Sequence, residues 1–199
     1  MTAASATAVM MRGPRLLRAT SITIAPPAGL IAIGGPPFGG KSALAAELLD
    51  WLPRAVKLEA PDSLIPGRRQ APRSLESLVR EVRRTIHEKR GAPQNLLVVS
   101  RFPTREQRRR VRAAARDLGV RFLFVEARSG ERSARQRLLA RTQSIVDAKQ
   151  LIARYREALA GYRPVSRVEQ LMLPAVRLER VQSELNEAVA RVLAVWARS

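Results

Sequence analysis

The chain contains no cysteine, which removes disulfides, zinc–thiolate sites and cysteine nucleophiles from consideration. Aromatic residues make up only 4%, a poor supply for a platform on which single-stranded bases would stack. No apolar run approaches the roughly eighteen residues that a membrane helix needs. Acidic residues are scarce as well: 17 Asp and Glu face 36 Lys and Arg, and none precedes Glu47. The resulting net charge of +19 suits a polyanion such as RNA or DNA, held through its phosphates. An arginine-rich composition that coats the surface, with some arginines serving a nucleotide, would give the same number. At 199 residues the chain fits one domain of ordinary size with a real core.

What is present is concentrated in residues 30–44, LIAIGGPPFGGKSAL. The run Leu30-Ile31-Ala32-Ile33 is short and rich in β-branched residues, as a buried strand would be. It leads into Gly35-Pro36-Pro37-Phe38-Gly39-Gly40-Lys41-Ser42, which fits G-x-x-x-x-G-K-[ST], the phosphate-binding loop. Strong helix formers with an apolar stripe follow. The chemistry explains the residue types. Phosphates are dense in acceptors, so they need converging N–H donors and positive charge in a small volume. Gly39 and Gly40 allow the peptide to curl around the β-phosphate. The first-turn N–H groups of the helix, from Lys41 through Ala43, add the positive end of its dipole. Lys41 reaches the β- and γ-phosphates, and the Ser42 hydroxyl is the expected protein ligand of Mg²⁺. Pro36 and Pro37 lack N–H groups but lie ahead of the main donors, so they stiffen the loop.

Around this motif, short apolar runs alternate with helical patterns. Strands are expected at residues 55–59, 96–99 and 120–125, with shorter candidates at Leu171-Met172-Leu173 and Val176-Arg177-Leu178. An edge strand is expected near residues 21–24. Leu75, Leu78, Val79, Val82 and Ile86 mark an amphipathic helix with Ser74 as its N-cap. Further helices are expected from about Thr104 to a stop at Gly119, across residues 130–160, and over 183–197. Trp51, Trp196 and the phenylalanines at 122 and 124 read as core, and Tyr155 and Tyr162 as packing residues that could flank an adenine or a hinge. His87 reads as a surface or capping residue. The alternation predicts an α/β fold, a parallel sheet with helices on both faces. Ligands then gather at the carboxyl ends of the strands.

Residues 2–9 lack the bulky apolar run of a secretory signal. An acid-free, arginine-bearing start resembles a mitochondrial presequence, yet a loosely attached basic tail over residues 1–20 accounts for it too. The expectation is a cytoplasmic protein with residues 21–199 as a single domain.

Taken together, residues 30–164 resemble the small P-loop kinases related to zeta toxins, chloramphenicol phosphotransferase and the kinase domain of bacterial polynucleotide kinases, an AAA-type ATP-binding domain. The likeness rests on the AIGG strand entering GKS, on Leu58-Glu59-Ala60-Pro61-Asp62, on Val98-Val99-Ser100-Arg101 before an arginine-rich helix, and on Arg132 to Arg141 running into Val146-Asp147-Ala148 and Tyr155. It implies a three-layer P-loop NTPase fold with a helical basic lid over about 130–164. It implies transfer of the γ-phosphoryl of ATP·Mg²⁺ to a hydroxyl. Asp62 matches the acidic residue near the acceptor, with Glu59 the competing candidate. Arg137 and Arg141, four apart on one helix face, would meet the transferring phosphate, and Arg132 would help hold ATP. One position departs: Ser100 stands where the family usually has aspartate, so a nucleotide-dependent binding protein without catalysis is the alternative. The acceptor and the oligomeric state are not readable from the sequence.

Overall fold

The computed structural model describes residues 29–60, 75–88, 95–140, 145–181 and 184–198. Five strands form one sheet: β1 (Gly29–Gly34), β2 (Val56–Glu59), β3 (Asn95–Val99), β4 (Arg121–Ala127) and β5 (Ala175–Leu178). Their order is β2-β3-β1-β4-β5, and every pairing is parallel. Seven helices are described: α1 (Lys41–Trp51), α2 (Leu75–Glu88), α3 (Arg105–Asp117), α4 (Glu131–Leu139), α5 (Ile145–Ala160), α6 (Arg167–Met172) and α7 (Leu185–Arg198).

Strand periodicity sorts the core into two layers. From β1, Ile31 and Ile33 pack with Leu97, Val99, Leu123 and Val125 against Leu44 and Leu48 of α1 and Val189, Val192 and Trp196 of α7. Leu30 and Ala32 point the other way and pack with Val98 and Phe124 against Leu78 and Val82 of α2 and Val111 and Ala115 of α3. Both faces are therefore covered, as parallel sheets require. A third, smaller cluster of Ala134, Leu138, Leu151 and Tyr155 holds α4 to α5, with Phe38 of the loop packed against it.

The expected strands at β2, β3, β4 and β5 and the expected helices at α2, α3, α4–α5 and α7 are present. The edge strand near residues 21–24 and the Ser74 cap lie outside the described residues, as does the side chain of His87. One expectation is corrected: Leu171 and Met172 end α6, and Leu173 is its C-cap. Three consecutive apolar residues do not distinguish strand from helix. The decisive signal is Ser166, whose Oγ accepts the Glu169 N–H at 3.1 Å and starts the helix. At α3 the start is a full capping box between Thr104 and Gln107, and Gly119 with φ 65° follows its end.

The arginine-rich α3 hides one arginine in the core. Arg108 is 1% exposed. Its Nε and Nη2 donate to the two carboxylate oxygens of Glu169 at 2.6 and 2.8 Å, and Nη1 donates to the Phe102 and Arg163 carbonyls, each at 3.0 Å. Its guanidinium also lies over the Phe124 ring. Glu126 of β4, fully buried, accepts from Tyr162 Oη at 2.7 Å, from Arg177 Nε at 2.9 Å and from the Val165 N–H at 3.3 Å. These two ionic clusters tie the segment between α5 and α6 to the sheet.

Glu169→Ala strands the Arg108 charge in the core and is expected to cost about 3–5 kcal/mol. Denaturant unfolding checks this, and a loss below about 1 kcal/mol would refute the role given to the pair. Burial and the neighbouring Glu126 carboxylate hold the Tyr162 hydroxyl above the usual tyrosine range, and burial with Glu131 raises Tyr155. The unfolded chain therefore releases these protons first, so stability falls as pH rises through about 10. Tyrosinate absorbance is expected to appear near pH ~10 only in the denatured protein, and at higher pH in the folded one. Coincident folded and unfolded titrations would contradict this.

Candidate nucleotide and phosphoryl-transfer site

The glycine loop runs from Gly35 to Gly40 between β1 and α1. Its path is fixed by what lies beneath it. A Cβ on Gly35 would stand 2.0 Å from the Ala127 carbonyl oxygen at the end of β4, and one on Gly39 would stand 2.4 Å from the same atom. Neither position accepts a side chain. Gly35 donates its N–H to the Arg101 carbonyl at 3.1 Å, and Gly39 donates to the Pro36 carbonyl at 3.2 Å. Gly40 is the N-cap of α1 with φ 93° and, having no side chain, does not cap the helix end itself. The first-turn amides and the dipole of such a helix start suit an anionic ligand.

Lys41 is buried, 6% exposed. Its Nζ donates to the Pro36 carbonyl at 2.8 Å and to the Gly35 carbonyl at 3.3 Å, which places the ammonium on the loop. Ser42 is exposed, and its Oγ donates to Glu59 Oε1 at 2.6 Å. Glu59 ends β2, and its second oxygen meets Lys57 Nζ at 3.0 Å. Two hard oxygen donors therefore converge beside the loop lysine. Magnesium takes oxygen ligands and commonly uses one or two carboxylates together with substrate phosphates, so Ser42 and Glu59 fit that ion. Among the described residues no three of His, Asp or Glu gather into an all-protein cage.

Of the remaining candidates, Asp62 and Arg141 lie outside the described residues. Arg132 is exposed on α4. Arg137, on the same helix, turns inward: its Nη2 donates to Ser129 Oγ at 2.7 Å and its Nε to the Ser133 carbonyl at 3.0 Å. Ser129 Oγ in turn donates to the Phe38 carbonyl at 2.7 Å. The structure therefore brings Lys41, Ser42 and Glu59 together and links Arg137 to the loop through one hydroxyl. Ser100 follows β3 directly, half-buried, with its N–H on the Ile33 carbonyl at 3.1 Å.

Ser129 was not singled out from the sequence, and neither was the strain at Phe38. Phe38 has φ 57°, a conformation that costs a non-glycine residue about 1–3 kcal/mol. It is held there by the Ser129 bond and by its ring, 6.1 Å from that of Tyr155. A serine two residues beyond a strand carries no sequence pattern that would reveal this.

A parallel sheet carrying a strand–glycine loop–helix unit at its centre defines the P-loop NTPase fold. Within that class, the chain belongs to the AAA domain family, whose family model matches residues 30–163. No curated protein matches the chain. Solved structures share the fold. Kti12 from Chaetomium thermophilum, in complex with ADP-AlF3, superimposes with a TM-score of 0.62 at 14% identity, covering 84% of this chain and 99% of that one. A gluconokinase from Sinorhizobium meliloti 1021 gives 0.54 at 20% identity, covering 87% and 93%. The APS kinase CysC of Mycobacterium tuberculosis, in complex with AMPPNP and APS, gives 0.54 at 22% identity, covering 85% and 98%.

Gly35→Ala drives a methyl group into the Ala127 carbonyl at a φ of 140°. It is expected to destabilise the protein by about 2 kcal/mol or more. Gly130→Ala, where nothing lies within 4 Å of the added Cβ, is expected to change stability by less than about 1 kcal/mol. Calorimetry on the pair checks this, and equal melting temperatures would contradict the fit of loop on strand.

Proposed function

We propose that this chain is an ATP-dependent phosphotransferase that moves the γ-phosphoryl group to the hydroxyl of an acceptor. The observation that carries the reading is the 2.6 Å bond between Ser42 Oγ and Glu59 Oε1 beside the buried Lys41. It supplies, from the end of β2, the carboxylate that Ser100 cannot supply from the end of β3. The fold shared with a gluconokinase and an APS kinase supports the same reading.

In this account the amides from Gly39 to Ala43 bind the phosphates, and the Lys41 ammonium leaves the loop carbonyls to neutralise their charge. Gly35, Pro36, Pro37 and Phe38 shape the concave side. Ser42 and Glu59 would hold Mg²⁺, which when bound adds positive charge against the phosphate oxygens. Asp62, with Glu59 as the competitor, orients the acceptor hydroxyl and takes its proton. Arg137, with Arg141 and Arg132 from the same basic segment, stabilises charge as it develops on the transferring group. The lid is built on α4 and α5, within about 130–164, and the expected tail over residues 1–20 lies outside the described residues.

A second reading, binding of ATP without turnover, draws on two observations. Ser100 brings no carboxylate, and Lys57 occupies the outer oxygen of Glu59.

With γ-labelled ATP, Mg²⁺ and a panel of nucleosides, sugars and oligonucleotides, the label is expected on one class of hydroxyl. Glu59→Gln is expected to retain ATP affinity and lose about a hundredfold or more in turnover. Lys41→Ala is expected to lose both. Full transfer by Lys41→Ala would rule out the proposal, and tight ATP binding with no label on any hydroxyl would favour the second reading.

A further inference from the structure

Helix α3 separates its charges by face. On a helical wheel at 100° per residue, Glu106, Arg110 and Asp117 fall on the side toward α2. There they are paired: Arg110 Nε with Glu106 at 2.9 Å, Arg110 Nη1 with Glu76 at 3.0 Å, and Arg83 with Asp117 at 3.2 Å. Arg105, Arg109, Arg112 and Arg116 repeat at intervals of four, three and four residues. They fall within about 60° of one another on the adjacent exposed side. All four are exposed. The side chains of Arg109 and Arg112, at the centre of the stripe, make no hydrogen bond or ion pair among the described residues. Arg105 Nη2 lies 3.7 Å from Met172 Sδ, and Arg116 Nη2 lies 4.0 Å from Asp117 Oδ1. Exposed Arg163 extends the row beyond the helix start, its N–H bonded to the Pro103 carbonyl at 2.9 Å.

We infer that this stripe is a docking surface for the sugar–phosphate backbone of a nucleic-acid duplex. From Arg105 to Arg116 it extends about 16 Å. That length spans nearly five phosphates along one strand at about 3.4 Å each. Every cation in it is a guanidinium, the group whose planar fork fits phosphate oxygens. No aromatic or acidic residue interrupts it, so it reads backbone charge and not base sequence. An acidic protein would be the other partner for such charge. A protein interface, however, centres on an apolar core rimmed by charge. The exposed apolar residues Val168, Leu171 and Met172 lie on α6 and not on α3, and Met172 Sδ stands 3.7 Å from Arg105, at the end of the stripe and not at its centre. The surface does not depend on catalysis at the loop.

The test is binding of a labelled twenty-base-pair RNA or DNA duplex to the full chain, by fluorescence anisotropy over a salt series. The variant Arg109→Gln/Arg112→Gln/Arg116→Gln is compared with Arg54→Gln/Arg191→Gln/Arg198→Gln, which removes the same charge from exposed sites elsewhere. Thermal melting confirms that both fold. The stripe variant is expected to weaken binding at least about tenfold. It should also flatten the slope of log affinity against log salt by about 3 on DNA, since each phosphate contact contributes about 0.9. The control is expected to change affinity less than about threefold. Equal losses in the two variants would mean diffuse attraction by net charge and would overturn the inference. So would an unchanged stripe variant, or tighter binding of poly-glutamate than of either duplex.

Discussion

A single carbonyl oxygen, that of Ala127 at the end of β4, supports the loop on which the proposed chemistry depends. Gly35 and Gly39 approach it so closely that neither could carry a methyl group. The loop is therefore set by contact with the neighbouring strand as well as by its own backbone freedom. The same strand end continues into Ser129, whose hydroxyl holds the Phe38 carbonyl and receives Arg137. Loop and helix α4 are thus referred to one fixed point on the sheet. In phosphoryl transfer the protein contributes mainly positioning and preset charge, and a common anchor for Lys41 and Arg137 is the arrangement such a task requires.

Charge is placed with equal economy. The buried ions are each satisfied by several partners: Arg108 by Glu169 and two carbonyls, Glu126 by Tyr162, Arg177 and a backbone N–H. Such groups are costly to bury singly but fix a unique geometry once complete. They hold the turn that returns the chain from α5 to β5. The arginine stripe on α3 is different in kind: surface pairing is worth little to stability, and the side chains of Arg109 and Arg112 at its centre pair with nothing among the described residues.

Much of this was legible in the sequence, and the reason is locality. The strand, glycine loop and helix of residues 30–44 are contiguous, so spacing alone carries their geometry. The parallel, doubly covered sheet followed from continuous apolar runs such as Leu30 to Ile33 and Leu96 to Val99. What the sequence hid depends on partners far along the chain. Arg108 looks like its neighbours in α3 until Glu169, 61 residues later, reaches it. The choice of Glu59 as the partner of Ser42 depends on how β2 is set beside β3. Leu171 to Leu173 misread as a strand because three apolar residues carry no period, and the capping serine five residues earlier was the stronger signal.

The most direct measurement of the central claim is a crystal structure of the protein with Mg²⁺ and a non-hydrolysable ATP analogue. The account predicts triphosphate density over the amides of Gly39 to Ala43, Lys41 Nζ moved from the Gly35 and Pro36 carbonyls onto a phosphate oxygen, and an ion against Ser42 Oγ with Glu59 in its shell. A well-ordered structure in which the loop holds no phosphate, or in which Lys41 keeps its carbonyl partners while the nucleotide binds elsewhere, would contradict it.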